Sequence, residues 1–146
     1  LDDLLAIGDV VHVCGAGKVD SALERPGYVQ LEFVAEEWGD VLAAADVVVS
    51  RAGANAIDEL ATLRKLHVLV PLSAASSRGD QIENAALFER KGFSRVIQDD
   101  AFTPAALCEA VRQLLAAPDA QRRALAEFAP GDAVGAILAE LERAVG

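Results

Sequence analysis

Residues 50–60, Ser50-Arg51-Ala52-Gly53-Ala54-Asn55-Ala56-Ile57-Asp58-Glu59-Leu60, lead from an apolar run through a turn of small residues into a helical pattern beginning near Ala54. Small side chains let a ligand approach the backbone, and a helix N-terminus offers unpaired N–H groups carrying a partial positive charge. A phosphate or diphosphate suits that turn. Glu59 lies about a turn and a half into the helix, where its carboxylate can accept hydrogen bonds from a ribose diol. The same residues also fit an ordinary strand-to-helix turn with Glu59 as a solvated helix residue, because one Gly-containing turn is not specific.

A second polar segment follows the next apolar run: Pro71-Leu72-Ser73-Ala74-Ala75-Ser76-Ser77-Arg78-Gly79-Asp80-Gln81-Ile82-Glu83-Asn84-Ala85. In an open parallel sheet it falls on the same carboxyl edge, where ligands collect. Asp80 and Gln81 stand at the start of its helix and can read sugar hydroxyls; Asp80 also fits a plain N-cap. A third turn, Gly15-Ala16-Gly17-Lys18, lacks the GxxxxGK[ST] spacing of a P-loop. Phe33-Val34 closes another apolar run and can present backbone groups to a flat base, although as a pattern it is simply a strand end. No Ser/His/Asp set, carboxylate dyad or metal-spaced ligand group emerges, so neither a metal nor a cofactor is expected.

These loops need a scaffold. Five short, β-branched runs read as strands: 10–14, 28–34, 47–50, 67–72 and 93–97. Helical patterns lie between and after them, near 36–45, 54–65, 80–91, 104–117, 119–128 and 132–145. The last has Asp132 as N-cap and Val134, Ile137, Leu138, Leu141 and Val145 along one face. Strands alternating with helices imply an α/β domain with a parallel sheet covered on both faces. Near-continuous apolarity places 47–50 and 67–72 among the central strands. The chain opens in what reads as the last turns of a helix, LDDLLAIG, before its first strand. A doubly wound sheet begins instead with a central strand and a Gly-rich turn. That strand is therefore expected to precede Leu1, and the sheet to be incomplete or to borrow a strand.

The 146 residues suffice for one domain with a real core, and 53% hydrophobic content with mean hydropathy +0.28 excludes wholesale disorder. Net charge is −10, concentrated in residues 1–50, while 51–100 balance seven acids with seven bases. An acidic surface repels nucleic-acid phosphate and anionic lipid, whereas the neutral middle third tolerates an anionic small ligand. Cys14 and Cys108 form no paired motif and read as buried free thiols of a reducing, cytoplasmic compartment. His12 and His67 each stand alone in strand-like runs and read as packed residues.

Taken together, DVVVSRAGANAIDEL and VPLSAASSRGDQIENA resemble the family 28 glycosyltransferases, and their order and spacing extend the likeness over nearly the whole chain. The resemblance implies the Rossmann-like, donor-binding C-terminal half of a GT-B enzyme. It implies transfer of N-acetylglucosamine from UDP-N-acetylglucosamine to a lipid-linked acceptor, lipid I, giving lipid II for peptidoglycan, without a nucleotide-bound metal. It puts the diphosphate against Ala52, Gly53, Ala54 and Asn55, counts Arg51 among the residues that bind the UDP-sugar, and puts the ribose on Glu59, the sugar hydroxyls on Asp80 and Gln81, and uracil on the backbone of Val34. Where the family often has a serine after the first strand, this chain has Ala16. The acceptor half and its proposed base would lie elsewhere, so no catalytic residue is assigned here, and association with the membrane face would come through other parts. Other readings remain open from the residues: a GT-B transferase with another acceptor, a UDP-sugar epimerase, a stand-alone donor-binding subunit serving a membrane-bound partner, or an α/β interaction domain without a ligand.

Overall fold

The computed structural model describes residues 1–131 and 141–143. Helices and strands alternate as α1 (Asp2–Leu5), β1 (Val10–Val13), β2 (Tyr28–Leu31), α2 (Trp38–Ala44), β3 (Val48–Ser50), α3 (Ala54–Thr62), β4 (His67–Leu69), α4 (Asp80–Arg90), β5 (Arg95–Val96), α5 (Pro104–Ala116) and α6 (Asp119–Ala126). Every expected strand forms, each shorter than the apolar run that announced it. The helix expected over 132–145 lies outside the described residues except for 141–143, which are helical.

Among the described residues the five strands pair in parallel, in two separate ladders: β1 with β2, and β3–β4–β5. β4 is the central strand of its ladder and is buried along its whole length. The other run expected to be central does not behave so. Among the described residues β3 pairs with β4 alone, and Val49 is 44% exposed. On the β1–β2 ladder Val11, Val13 and Val29 are exposed as well.

Alternation along β4 divides the core into two layers. Leu66, Val68 and Val70 face Ile97 and the inner stripe of α5, Leu107, Ala110, Val111 and Leu114. Leu69 faces the other way, onto Ala52, Ile57 and Ala61 of the α3 side, Ala85 and Phe88 of α4, and Leu125 of α6. Phe88, Phe93 and Phe128 finish that layer, with Phe93 edge-on to Phe128 at 5.4 Å between centroids. Helix α5 starts where its sequence dictates. Thr103 caps it, its hydroxyl accepting from the Ala106 N–H at 3.0 Å, and Pro104 occupies the first turn.

The amino edge of the sheet is tied by a buried polar network. The Lys65 carbonyl can only accept, so His67 Nδ1 carries the ring proton and donates to it at 2.7 Å. Nε2 then accepts from the Ser94 hydroxyl at 2.6 Å, joining β4 to the start of β5. Gln121 adds α6 by donating from Nε2 to the carbonyls of Phe93 (2.7 Å) and His67 (3.1 Å). Reversing that amide would aim its oxygen at two carbonyls, so its orientation is set. His67 is thus the packed residue its sequence context suggests, whereas His12 is exposed and bonded to the Tyr28 hydroxyl at 2.8 Å. The thiols divide likewise: Cys108 is buried, but Cys14 is only half-buried, its Sγ donating to the Leu31 carbonyl.

Burial holds the His67 pKa below its ordinary 6.5, against the opposing pull of its bond to the Lys65 carbonyl. The unfolded chain therefore takes up the proton first as pH falls, and the neutral ring's contribution to stability is full above about pH 6.5 and is lost as pH drops through the lower folded value. Thermal melts should show a descending limb below about pH 6.5 that is shallower in His67→Gln, whose side chain does not titrate. Gly79, at φ +90°, is the left-handed residue that opens α4, and a Cβ built on it meets nothing within 4 Å. Gly79→Ala should consequently lower unfolding free energy by about 1–2 kcal/mol, the backbone cost alone, in a denaturant titration.

Candidate functional site

The loops singled out by sequence converge on the carboxyl edge of β3 and β4. Register sets this up: Ser50 pairs with Leu69, and the Val70 N–H donates to the Ser50 carbonyl at 2.8 Å. The turn after β3 and the loop after β4 consequently leave the ladder side by side. Ala52 turns inward and is fully buried, while Ala54 and Asn55 are exposed. Gly53 occupies the N-cap with ordinary extended backbone, and having no side chain it leaves the first N–H groups of α3 uncapped. A Cβ built on Gly53 meets nothing within 4 Å, so the approach to those groups is open.

Two side chains lock this turn to the second loop. Asn84 of α4 donates from Nδ2 to the Ala52 carbonyl at 3.3 Å. Gln81 accepts at Oε1 from the Leu72 N–H at 3.1 Å, which fixes the start of α4 against the end of β4. Its amide nitrogen has no hydrogen bond to the described residues. Asp80 is the exposed first residue of α4, and the N-cap reading does not hold: Gly79 has that position and no side chain caps the helix.

Arg51 is engaged differently from its neighbours. Its guanidinium donates to the Val70 carbonyl at 3.2 Å and pairs with Asp99 at 2.9 Å, reaching across the ends of β4 and β5. Both partners retain solvent access, so the pair contributes about 0–1 kcal/mol to stability. Its geometric effect is to pin the turn from below.

Glu59 projects from the exposed side of α3 and receives the indole N–H of Trp38, at 3.0 Å from each carboxylate oxygen. Trp38 opens α2, just after Phe33-Val34. Val34 is half-buried, its N–H and carbonyl make no backbone hydrogen bond among the described residues, and Phe33 beside it is 78% exposed. The Gly15–Lys18 turn is separate and mostly exposed, with Gly15 and Gly17 at positive φ.

Trp38, Asn84 and Asp99 are the partners that sequence reasoning did not single out. Trp38 carried a signal, as the only tryptophan of the chain in an otherwise acidic stretch, EEWGD. Asn84 and Asp99 carried none, since their importance comes from contacts 32 and 48 residues away in sequence. A cavity of about 800 Å3 at the opposite edge, lined by Ser94, Arg95, Gln113 and Gln121 among others, lies against the His67 network, away from these loops.

Residues 4–134 match the glycosyltransferase family 28 C-terminal domain. Among curated relatives, proteins named UDP-N-acetylglucosamine–N-acetylmuramyl-(pentapeptide) pyrophosphoryl-undecaprenol N-acetylglucosamine transferase are similar to this chain. That of Clostridium kluyveri is 50% identical over 78% of this chain and 33% of the relative. Those of Lachnoclostridium phytofermentans and Geobacillus kaustophilus are 45% and 43% identical, each over 97% of this chain and 40% of the relative. The chain thus spans between a third and two fifths of these relatives' length. Among solved structures, Acinetobacter baumannii MurG superposes with TM-score 0.73 at 23% identity, over 92% of this chain and 40% of that one. The glycotransferase of kitacinnamycin superposes with TM-score 0.69 at 25% identity, over 85% of this chain and 31% of that one. The parallel, helix-covered arrangement is Rossmann-like, and by its matched residues the chain belongs to the glycosyltransferase family 28 C-terminal domain family.

Proposed function

We propose that this chain is the donor-binding half of a GT-B transferase that moves N-acetylglucosamine from UDP-N-acetylglucosamine to lipid I, giving lipid II for peptidoglycan. The observation that carries the reading is the uncapped N-terminus of α3, open at Gly53 and bonded through Ala52 to α4, in a chain 43–50% identical to proteins named as that transferase. In this reading the diphosphate lies against Ala52–Asn55. Helix N–H groups there hold the charge that grows on the leaving diphosphate as the glycosidic bond breaks, without needing to reorganise. Glu59 takes the ribose hydroxyls and the free backbone groups of Val34 take uracil. Asp80 and the free amide nitrogen of Gln81 take the sugar hydroxyls. Arg51, held by Asp99 and Val70, supports the diphosphate turn.

The acceptor site and the catalytic base belong, in the same proposal, to a second domain outside these 146 residues, and so does contact with the cytoplasmic face of the membrane. No helix among the described residues is long and apolar enough to cross a membrane. The separation of β1–β2 from β3–β4–β5, with Val11, Val13 and Val49 exposed, supports a further strand between β1 and β3 supplied from before Leu1. Closure of two domains around the donor excludes water from the reacting centre. This chain alone is accordingly expected to bind donor without transferring sugar.

Calorimetry with paired ligands tests the assignment. Glu59→Ala should weaken UDP and UDP-N-acetylglucosamine alike, by about one to two decades, because it removes a charged acceptor common to both. Gln81→Ala should leave UDP nearly unchanged and weaken the sugar nucleotide alone; equal losses for both ligands would make the second loop structural. Gly53→Ala should fold normally, given the open space around it, yet lose affinity for both ligands as its methyl group obstructs the diphosphate. Retained affinity in Gly53→Ala would exclude the turn as the phosphate site, and lipid-linked product from this chain alone would exclude the two-domain reading.

A further inference from the structure

We propose that the Trp38 indole occupies on Glu59 the place that a ribose diol takes, so that nucleoside binding and the Trp38–Glu59 contact exclude one another. The inference rests on Glu59 being the ribose acceptor of the proposed donor site. Trp38 Nε1 stands 3.0 Å from Oε1 and 3.0 Å from Oε2. An indole has one N–H and nothing else to donate, so a donor equidistant from two oxygens lies between them, on the edge that both oxygens share. A vicinal diol engages a carboxylate from that edge too, with one O–H to each oxygen. The two donors cannot occupy it together.

The surroundings make the exchange workable. Glu59 is exposed and Trp38 is half-buried, so the contact lies at the solvent boundary and can open without unpacking the core. Trp38 begins α2, a seven-residue helix entered through a bend whose Trp38 N–H to Ala35 carbonyl bond is 3.2 Å long. Glu36, Glu37 and Asp40 flank the tryptophan and Asp58 precedes Glu59. The indole satisfies Glu59, and the ribose replaces that donor with two. Trp38 therefore sets how tightly the site holds any ribonucleotide, by a competition internal to the chain.

Trp38 is the sole tryptophan in the 146 residues, so tryptophan emission follows the surroundings of this one indole, the Glu59 contact among them. UDP is expected to move the emission of the chain to the value that Glu59→Ala shows without nucleotide. The dideoxy analogue, 2′,3′-dideoxyuridine diphosphate, keeps base and diphosphate but lacks the diol, and is expected to bind without that change. Trp38→Phe keeps the aromatic packing and removes the N–H, and should bind UDP about three- to tenfold tighter while binding the dideoxy analogue as wild type does. Equal emission changes with both nucleotides, or a Trp38→Phe variant that binds UDP no tighter, would overturn the exchange. The wild-type emission experiment stands even if the variant folds poorly. Failure of the underlying assignment reads differently: Glu59→Ala would then bind UDP as wild type does, or no UDP would bind at all.

Discussion

Ser50 opposite Leu69 in the β3–β4 ladder is the register from which the carboxyl edge is built. Side chains alternate along a strand, so slipping this pairing by one residue would turn Leu69 from the α3–α4 layer toward α5 and empty both layers at once. Burial on both faces of β4 makes such a slip costly, and the turn after β3 is therefore delivered beside the loop after β4. The Asn84 bond to Ala52, the Gln81 bond to Leu72 and the Arg51 reach to Val70 all depend on that adjacency.

The two edges of the sheet use polar groups in opposite ways. At the amino edge, the His67 ring, the Ser94 hydroxyl and the Gln121 amide nitrogen bond to one another or to the carbonyls of Lys65, His67 and Phe93, joining β4, β5 and α6 and leaving Gln121 Oε1 buried without a partner among the described residues. At the carboxyl edge the N–H groups at the start of α3, the backbone of Val34 and the Gln81 amide nitrogen stay without such partners among the described residues. A buried polar network resists opening because each broken bond strands a group away from water. Exposed groups bear no such penalty and remain free for a ligand. Rigidity and recognition are thereby assigned to different ends of the same strands.

The surroundings of β3 show what apolarity in sequence reports and what it does not. VVVS has the composition of a strand buried on both sides, yet among the described residues β3 has one neighbour and Val49 is exposed. Composition reports the surroundings for which a strand is suited, whereas pairing depends on which strands are present to flank it. His12 and Cys14 depart from the buried reading for a related reason, since both belong to the separate β1–β2 ladder, away from the two core layers.

Local physics made much of this protein legible from its sequence. The β-branched runs and the small-residue turn at Ala52–Asn55 each act within a few residues, so strand and helix identities, their parallel alternation and the starts of α3 and α4 follow from nearby chemistry. The carboxyl-edge location of both motifs follows as well, because a parallel sheet puts every strand-to-helix turn at that edge. What only the tertiary structure decided is who meets whom over long separations. Trp38 reaches Glu59 across 21 residues, Asn84 reaches Ala52 across 32, and Arg51 reaches Asp99 across 48. Those contacts depend on how helices lie over the two faces of the sheet and on which strands adjoin, and neither periodicity nor spacing encodes a side chain's partner once it is presented by a different element.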